Sequence, residues 1–254
     1  MTPDHAARDH LALALDVDSL DDAVALLRRL RPWFAVAKVG LELFTTAGPD
    51  AIAAARAEGF AVFADLKLHD IPNTVRRAAT VVGTTGARYL TTHAAGGEAM
   101  VRAAVEGFGA GAAIGGHRAP VTLAVTVLTS EALPGDEVFD ARVATAVAAG
   151  CPGLVCSPLE AARARALHPG ALLVTPGVRA AAAPADDQAR VATPAAAVRA
   201  GADLLVVGRP VTSAAEPEQM AATIADEVAQ ALGSFDTRGG LPPLPRGSRP
   251  GAIG

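Results

Sequence analysis

Residues 63–74, FADLKLHDIPNT, carry two acids and a lysine at spacings that could do chemistry. Asp65 and Lys67 are two residues apart at the end of an apolar run, and Asp70 follows three residues later. Because side chains alternate along a strand, Asp65 and Lys67 are expected to point to the same face. A carboxylate and an ammonium held together inside a fold are costly unless they are paired or used. The sequence therefore predicts that this segment is functional.

Short apolar runs alternate with helix-like segments along the chain, and eight of these runs have the length of a strand. They are 11–17, 34–39, 60–66, 89–93, 121–127, 153–157, 171–175 and 203–208. Eight strands that alternate with helices in a chain of 254 residues predict a closed (β/α)8 barrel. An open, doubly wound sheet is the alternative, and it is disfavoured because no GxGxxG motif follows the first strand.

Composition limits the partners that this chain is expected to have. The net charge of −4 favours neither nucleic acid nor an anionic membrane. No apolar run reaches the roughly 18 residues of a membrane span, and the N-terminus lacks an apolar signal core, so a cytoplasmic location is expected. Cys151 and Cys156 form no CxxC motif and are expected to be buried thiols. We expect one catalytic domain over 1–236 and a disordered Pro/Gly/Arg-rich tail over 237–254.

Polar residues stand at the ends of the predicted strands, where barrel enzymes keep their chemistry. They are Asp16, Lys38, Asp65, Lys67, His93, Thr126, Thr129, Ser157, Thr175 and Arg209, which follows Gly208. Most of them, taken singly, could be solvated strand ends or helix caps. Lys38 and Lys67 differ because they lie in or beside apolar runs, where lysine is seldom found without a partner. Asp65 and Asp70 are the obvious acidic partners.

Two later segments predict a phosphate site. The segment TPGVR (175–179) joins a Pro-Gly turn to Arg179, and DLLVVGRPV (203–211) places Arg209 after Gly208 at the start of a helix. Barrels frequently bind phosphate with the loops that follow strands seven and eight. Arginine there would add charge-assisted hydrogen bonds.

Together these motifs resemble the orotidine 5′-phosphate decarboxylase family. The resemblance covers roughly residues 9–232 and rests on AKVGLELF (37–44), DLKLHDIPNT (65–74), VTVLTS (125–130), TPGVR, DDQAR (186–190) and VVGRPV (206–211). The DxKxxDIPNT pattern is the most specific of them. The resemblance implies that a homodimer converts orotidine 5′-phosphate to UMP, the last step of de novo pyrimidine nucleotide biosynthesis, without cofactor or metal.

The resemblance also implies roles for single residues. Lys67 would protonate C6 of the pyrimidine, Asp65 would lie against the substrate carboxylate, and Lys38 would hold Asp65 and contact the ribose. Asp70 would complete a Lys-Asp-Lys-Asp array from the other subunit, and Thr74 would also reach across that interface. The remaining contacts would be Asp16 with a ribose hydroxyl, Thr129 with the pyrimidine edge, and Arg179, Gln188, Gly208 and Arg209 with the phosphate.

Three other functions fit parts of the pattern. Metal-dependent phosphosugar lyases with a DxKxxD motif would share Asp65, Lys67 and Asp70, but they carry an acid where this chain has Lys38. A Schiff-base aldolase would need a neutral Lys67, which the neighbouring acids disfavour. A barrel that only senses a nucleotide would not need the whole charged set, although a fold alone does not dictate function.

The segment TSEALPGDEV (129–138) is a candidate lid that turns at Pro134-Gly135. Asp65 has two open roles, which are straining the bound carboxylate and positioning Lys67. His93 is interpreted as a hydrogen-bonded barrel residue and His69 as a group that orients its loop.

Overall fold

The computed structural model describes residues 5–128, 135–178 and 192–236. Within these ranges eight parallel strands close into a barrel in chain order, which confirms the predicted (β/α)8 fold. The strands are β1 (Leu11–Leu15), β2 (Val36–Val39), β3 (Ala61–Leu68), β4 (Tyr89–His93), β5 (Val121–Val125), β6 (Gly153–Val155), β7 (Leu172–Pro176) and β8 (Leu204–Val207).

Helices follow the strands and surround the barrel. They are α1 (His5–Asp9), α2 (Leu20–Leu30), α3 (Leu41–Ala47), α4 (Pro49–Ala57), α5 (Pro72–Thr84), α6 (Glu98–Ile114), α7 (Asp136–Ala148), α8 (Ala161–Leu167), α9 (Pro194–Arg199), α10 (Arg209–Thr212) and α11 (Pro217–Asp236), with a 3-10 turn at Ala94–Gly96. α2 begins as its sequence indicates, because the Ser19 side chain accepts a hydrogen bond from the Asp22 N–H. Of the helices in the described ranges, none is long and apolar enough to cross a bilayer.

The strand limits differ from the sequence prediction mainly at the C-terminal ends. β1, β5 and β6 each end two residues earlier than the apolar runs suggest, whereas β3 continues to Leu68. Apolar runs report burial, and burial continues past the last paired residue, for example at Val127 after β5 and at Cys156 after β6. Where a strand ends depends on its hydrogen bonds with the neighbouring strand. The sequence of one apolar run carries no information about that neighbour.

Side-chain alternation divides the strand residues between two cores. Leu11, Leu13 and Leu15 of β1 face outwards and pack in one cluster with helix residues such as Leu27 and Leu30. The inward residues form a separate apolar cluster of Ala12, Ala14, Val36, Phe63, Tyr89, Leu123, Val174, Leu204 and Val206. Asp16, Lys38 and Asp65 come two residues after members of this cluster, so they stand on the same side as the apolar layer.

Three glycines allow α5 and α6 to pack with their backbones in contact. A Cβ atom at Gly83 of α5 would lie 2.6 Å from the Phe108 carbonyl oxygen of α6. Side chains at Gly107 and Gly111 of α6 would collide with backbone carbonyls of α5. This close packing fixes α5 against α6, and α5 begins at Pro72, shortly after the DLKLHD segment.

Candidate active site

β3 departs from a regular strand at the residues that carry the chemistry. Ala64 pairs with Leu90 of β4, and the next pair is Leu68 with Thr92, so residues 65–67 face Thr91 alone. Lys67 has a φ of 48°, the one positive φ at a non-glycine residue in the described ranges. Such a left-handed conformation costs about 1–3 kcal/mol and typically occurs at functional sites.

Asp65 and Lys67 meet as the sequence predicts, but simple alternation is not the full cause. The Lys67 Nζ donates to both carboxylate oxygens of Asp65 at 2.8 Å. A regular strand would also put the two side chains on one face. Here, however, both residues belong to the bulge of β3, and the Lys67 backbone is left-handed. The ion pair is therefore held by a special backbone shape in addition to the two-residue spacing.

Asp65 is the centre of a buried charged cluster. Lys38 Nζ lies 3.5 Å from its Oδ2 and 3.2 Å from Asp16 Oδ1, while the Thr91 hydroxyl donates to its Oδ1 at 3.0 Å. Burial alone would raise the pKa of Asp65, but the charges of Lys38 and Lys67, with hydrogen bonds from Lys67 and Thr91, hold that pKa below its ordinary value. Asp65 is therefore a carboxylate at neutral pH.

Asp70 does not join this cluster within one chain. Its side chain is exposed, and its Oδ1 accepts a hydrogen bond from the Ile71 N–H at 2.6 Å. Within one chain Asp70 is therefore not an acidic partner of Lys38 or Lys67, and Asp16 stands beside Lys38. The physical reason is that the chain turns away after β3 to begin α5.

Thr74 lies in the first turn of α5 and is exposed like Asp70. Neither side chain lines the pocket described below. A role for either residue at this site would therefore need a second chain, as the family resemblance implies.

A pocket opens at the C-terminal end of the barrel, above the inner apolar cluster. Its apolar lining includes Ala14, Phe63, Val125, Val155 and Val206, and its charged lining is Asp16, Lys38, Asp65, Lys67 and Arg209. Gly177 follows β7, and Gly208 and Arg209 follow β8, and all three also line the pocket. A ligand with both apolar and charged parts would find complementary groups in this lining.

Two glycines leave room around Asp16. A Cβ atom at Gly208 would lie 3.4 Å from Asp16 Oδ2 and 3.3 Å from the Cβ of Ala14. A Cβ atom at Gly40 would lie 3.2 Å from Lys38 Nζ and 3.4 Å from Asp16 Oδ1. Both positions keep the acid and the lysine uncrowded where they face the pocket.

Comparison with known proteins then identifies the family. A model described as "Orotidine 5′-phosphate decarboxylase / HUMPS family" matches residues 9–224. The chain belongs to this family.

Relatives in the family match over most of their length. A protein of Anaeromyxobacter sp. (strain K) named orotidine 5′-phosphate decarboxylase is 49% identical over 228 residues, which are 85% of this chain and 97% of that protein. One of Moorella thermoacetica with the same name is 46% identical over 234 residues, covering 87% and 93%. The crystal structure of orotidine 5′-phosphate decarboxylase from Lactobacillus acidophilus has a TM-score of 0.72 at 34% identity, covering 86% and 98%.

Some of the residues that the family resemblance singles out lie outside the described ranges. These are Thr129, Arg179 and Gln188, together with the larger part of the predicted lid. The described end of that lid, from Gly135 onwards, is the N-cap and first turn of α7. The tail over 237–254 is also outside the described residues.

Two residues near the family motif were not found by the sequence analysis. Thr91 is fully buried and contacts both Asp65 and the Lys67 backbone, and Gly40 makes space beside Lys38. Alternation along β4 could have indicated Thr91. It stands two residues before His93, which was a candidate as a polar residue at the strand end, and so it is expected on the same face. Only the pairing of β3 with β4 brings it to Asp65.

The two cysteines are buried, and His69 and His93 contact each other. Burial raises the pKa of Cys151 to about 11 and that of Cys156 to about 12, so both are protonated thiols at neutral pH. The rings of His69 and His93 are 5.5 Å apart, and neither residue lines the pocket. These contacts are compatible with the structural roles that the sequence analysis gave to them.

Proposed function

We propose that this member of the family decarboxylates orotidine 5′-phosphate to UMP, the last step of de novo pyrimidine nucleotide biosynthesis. Family membership and the names of its relatives support this activity. The observation within the site that carries the proposal is the Lys67 ammonium, held at 2.8 Å from both oxygens of Asp65 beside the pocket. A cytoplasmic location is part of the proposal, because the substrate is a soluble nucleotide.

The reaction breaks the bond between C6 of the pyrimidine and its carboxylate carbon. Carbon dioxide leaves, and the electron pair stays on C6 in an sp2 orbital that the ring π system cannot delocalise. A fixed ammonium in a water-poor site stabilises that charge as it develops, because its orientation is prepared before the reaction. The Lys67 Nζ then transfers a proton to C6 to form UMP, and the amine recovers a proton from solvent. No cofactor is required by this sequence of steps.

Asp65 and Lys38 prepare Lys67 for this role. The ionised Asp65 aims the Lys67 ammonium, because the ammonium contacts both carboxylate oxygens. Lys38 balances the second negative charge, that of Asp16. Of the two roles left open for Asp65, positioning accounts for these contacts without added strain on the substrate.

The rest of the nucleotide is proposed to lie across the pocket towards β8. Asp16, Lys38, Gly208 and Arg209 line the pocket. In this proposal Asp16 and Lys38 bind ribose hydroxyls, and Gly208 and Arg209 bind the phosphate. Thr129, Arg179 and Gln188 would complete the pyrimidine and phosphate contacts from segments outside the described residues. Binding energy from the phosphate would orient the ring at Lys67 although no bond to phosphorus changes.

We further propose that the active unit is a homodimer. Ile71 is 65% exposed and Leu41 is 55% exposed, and they follow the neighbouring strands β3 and β2 at the same end of the barrel. Asp70 and Thr74 lie beside Ile71 and are exposed too. A second copy that covered these apolar side chains would bring its own Asp70 and Thr74 towards the pocket.

The geometry also weighs against two alternative reactions. Lys38 Nζ lies between the carboxylates of Asp16 and Asp65, where a divalent cation would need to bind them. Lys67 contacts two carboxylate oxygens, whereas a Schiff-base nucleophile must be a neutral amine. Both contacts favour the decarboxylase.

The decisive experiment follows the loss of orotidine 5′-phosphate absorbance with the purified protein, with and without excess EDTA. We expect conversion to UMP and carbon dioxide at equal rates in both. Dependence on a divalent ion would favour the phosphosugar lyase, and a borohydride-trapped adduct would favour the aldolase. Absence of turnover at micromolar enzyme would overturn the proposal.

A further inference from the structure

Thr91 is the one β4 residue that faces the bulge of β3. Its neighbours Leu90 and Thr92 pair with Ala64 and Leu68, so Thr91 stands opposite the three residues in between. The side chain is fully buried. Its hydroxyl is therefore the local group that can satisfy backbone and side-chain atoms which the interrupted ladder leaves unpaired.

The two hydrogen bonds of Thr91 are fixed in direction by chemistry. The Lys67 N–H can only donate, and it donates to Thr91 Oγ1 at 2.9 Å. The ionised Asp65 can only accept, and it accepts from the same hydroxyl at 3.0 Å. One hydroxyl thus ties the backbone of the ammonium-bearing residue to the carboxylate that aims the ammonium.

The conformation of Lys67 needs such support. Its φ of 48° is unfavourable for any residue with a Cβ atom, and glycine would remove the ammonium. A strained residue persists only where its surroundings hold it in place. The hydrogen bond from its N–H to Thr91 is a direct hold on that backbone.

We propose that Thr91 is a positioning residue, whose hydroxyl holds Lys67 and Asp65 in the geometry that stabilises and protonates the C6 carbanion. The kinetic part of this inference rests on the proposed decarboxylase function. Thr91 does not line the pocket, so it acts through Asp65 and Lys67. Its removal is therefore expected to reduce kcat while leaving KM nearly unchanged.

Thr92 provides a matched control on the same strand. It is as buried as Thr91, and its hydroxyl donates one hydrogen bond at 2.9 Å to the Leu68 carbonyl. Thr92→Val therefore removes a buried hydroxyl of the same kind, one residue away, without touching Asp65 or Lys67. Any general loss of stability or activity from replacing a buried threonine of β4 by valine should therefore appear in both Thr91→Val and Thr92→Val.

The kinetic experiment compares Thr91→Val, Thr91→Ser and Thr92→Val with the parent protein. We expect Thr91→Val to lower kcat by about 100-fold, the order of loss that a small misplacement of reacting groups produces. Thr91→Ser should restore most of kcat because it keeps the hydroxyl, and Thr92→Val should keep the parental kcat. Equal kcat values for Thr91→Val and Thr92→Val would overturn the inference, as would a Thr91→Ser variant as slow as Thr91→Val.

A second measurement does not depend on the reaction. Amide hydrogen exchange at Lys67, followed by NMR, should be about tenfold faster or more in Thr91→Val than in Thr92→Val, because a lost hydrogen bond lowers the cost of local opening. Unchanged protection of Lys67 would contradict the positioning role even if the parent protein proved inactive on orotidine 5′-phosphate. If Thr91→Val fails to fold, Thr91→Ser becomes the test. The proposal expects this variant to keep near-parental kcat and near-parental protection of the Lys67 amide, and a clear loss of either would contradict it.

Discussion

At the scale of single residues, the site is a chain of alternating charges in which Asp65 lies between two ammonium groups. Its side chain is 12% exposed and that of Lys38 is 11% exposed, whereas Lys67 is 31% exposed and reaches into the pocket. Removing one member of such a buried set leaves an uncompensated charge, which costs more than the intact pair contributes. The three residues are therefore expected to respond differently to substitution.

Lys67→Ala should abolish turnover but leave UMP binding detectable. The substitution removes the proposed proton donor and the positive charge proposed to lie beside C6, while the groups proposed to bind ribose and phosphate remain. Steady-state kinetics and titration calorimetry with UMP measure the two effects separately. Arg28→Ala, which removes an exposed ion pair with Glu58, is the control and should retain activity. Near-normal turnover of Lys67→Ala would remove Lys67 from its assigned role.

Lys38→Met should lower the free energy of unfolding at pH 7 by about 3 kcal/mol, because it leaves the buried Asp65 with less compensation. The pKa of Asp65 is lowered in the folded protein by Lys38 and Lys67, against the effect of burial and with help from the Thr91 hydrogen bond. A lowered carboxyl pKa contributes stability that is fully present above the unfolded value of about 3.9 and is lost as the pH falls through the folded value.

The difference between the parent protein and Lys38→Met should therefore be largest near neutral pH and should shrink in acid. Urea unfolding at several pH values measures it, with Arg28→Met as the surface control. A difference that is constant from neutral to acid pH would show that Lys38 does not act through the charge of Asp65.

At the scale of elements, the packing of α5 on α6 sets where the segment after β3 leaves the barrel. Gly83, Gly107 and Gly111 bring the two helix backbones together, and larger residues there would push α5 outwards. Because α5 begins at Pro72, directly after the site segment, a shift of this helix would be felt at Asp70 and Ile71.

Gly111→Ala should destabilise the protein by about 1–3 kcal/mol, because the new methyl group would collide with the Thr80 carbonyl of α5. Gly109→Ala is the control on the same helix, since nothing lies within 4 Å of a Cβ atom at that position. It should stabilise by about 0.5–1 kcal/mol through helix propensity. Thermal and urea unfolding measure the stability of both variants. Similar changes in the free energy of unfolding would show that the two helices can separate at little cost.

At the scale of the whole molecule, a single chain presents a pocket with Asp16, Lys38, Asp65 and Lys67, and with Asp70 outside it. The exposed Ile71 beside Asp70 is the apolar contact that a second copy would cover. In a two-fold dimer each patch meets its own counterpart, so both sites would be completed at once. Shared sites of this kind can be tested by mixing variants.

Mixing Lys67→Ala with Asp70→Asn should restore activity that neither variant has alone. In a hybrid dimer, one site combines the intact Lys67 of one chain with the intact Asp70 of the other. Random exchange of subunits at equal concentrations would give about one quarter of the parental activity, since half of the dimers are hybrid and each has one intact site. If Asp70 acts within its own chain, the mixture should stay as inactive as its components. If Asp70 has no role, Asp70→Asn should be active by itself.

Ile71→Asp offers an independent test of the dimer. A charge in the middle of an apolar interface should convert the protein to a monomer and reduce its activity in parallel. Light scattering coupled to size-exclusion chromatography gives the mass. A variant that keeps the mass of the parent protein would place the interface elsewhere.

Prediction from the sequence succeeded where a local pattern was enough. Alternation and strand count predict the barrel, which the structure confirms. Residue type and spacing single out Asp65, Lys67 and Lys38, which the structure brings together in one pocket and whose catalytic roles stay a prediction. The strand limits were wrong by about two residues in several places, because pairing with a neighbour, not apolarity, ends a ladder.

By itself, the sequence determined which groups are available and to which end of the barrel they belong, because periodicity and strand order are properties of the chain. Only the tertiary structure decided that within one chain Asp16, not Asp70, stands beside Lys38, that Lys67 adopts a left-handed backbone, and that the Thr91 hydroxyl accepts the Lys67 N–H. These facts depend on the register of β3 against β4 and on where the chain turns into α5. Such contacts join residues far apart in sequence, and their geometry is set by packing of the whole barrel.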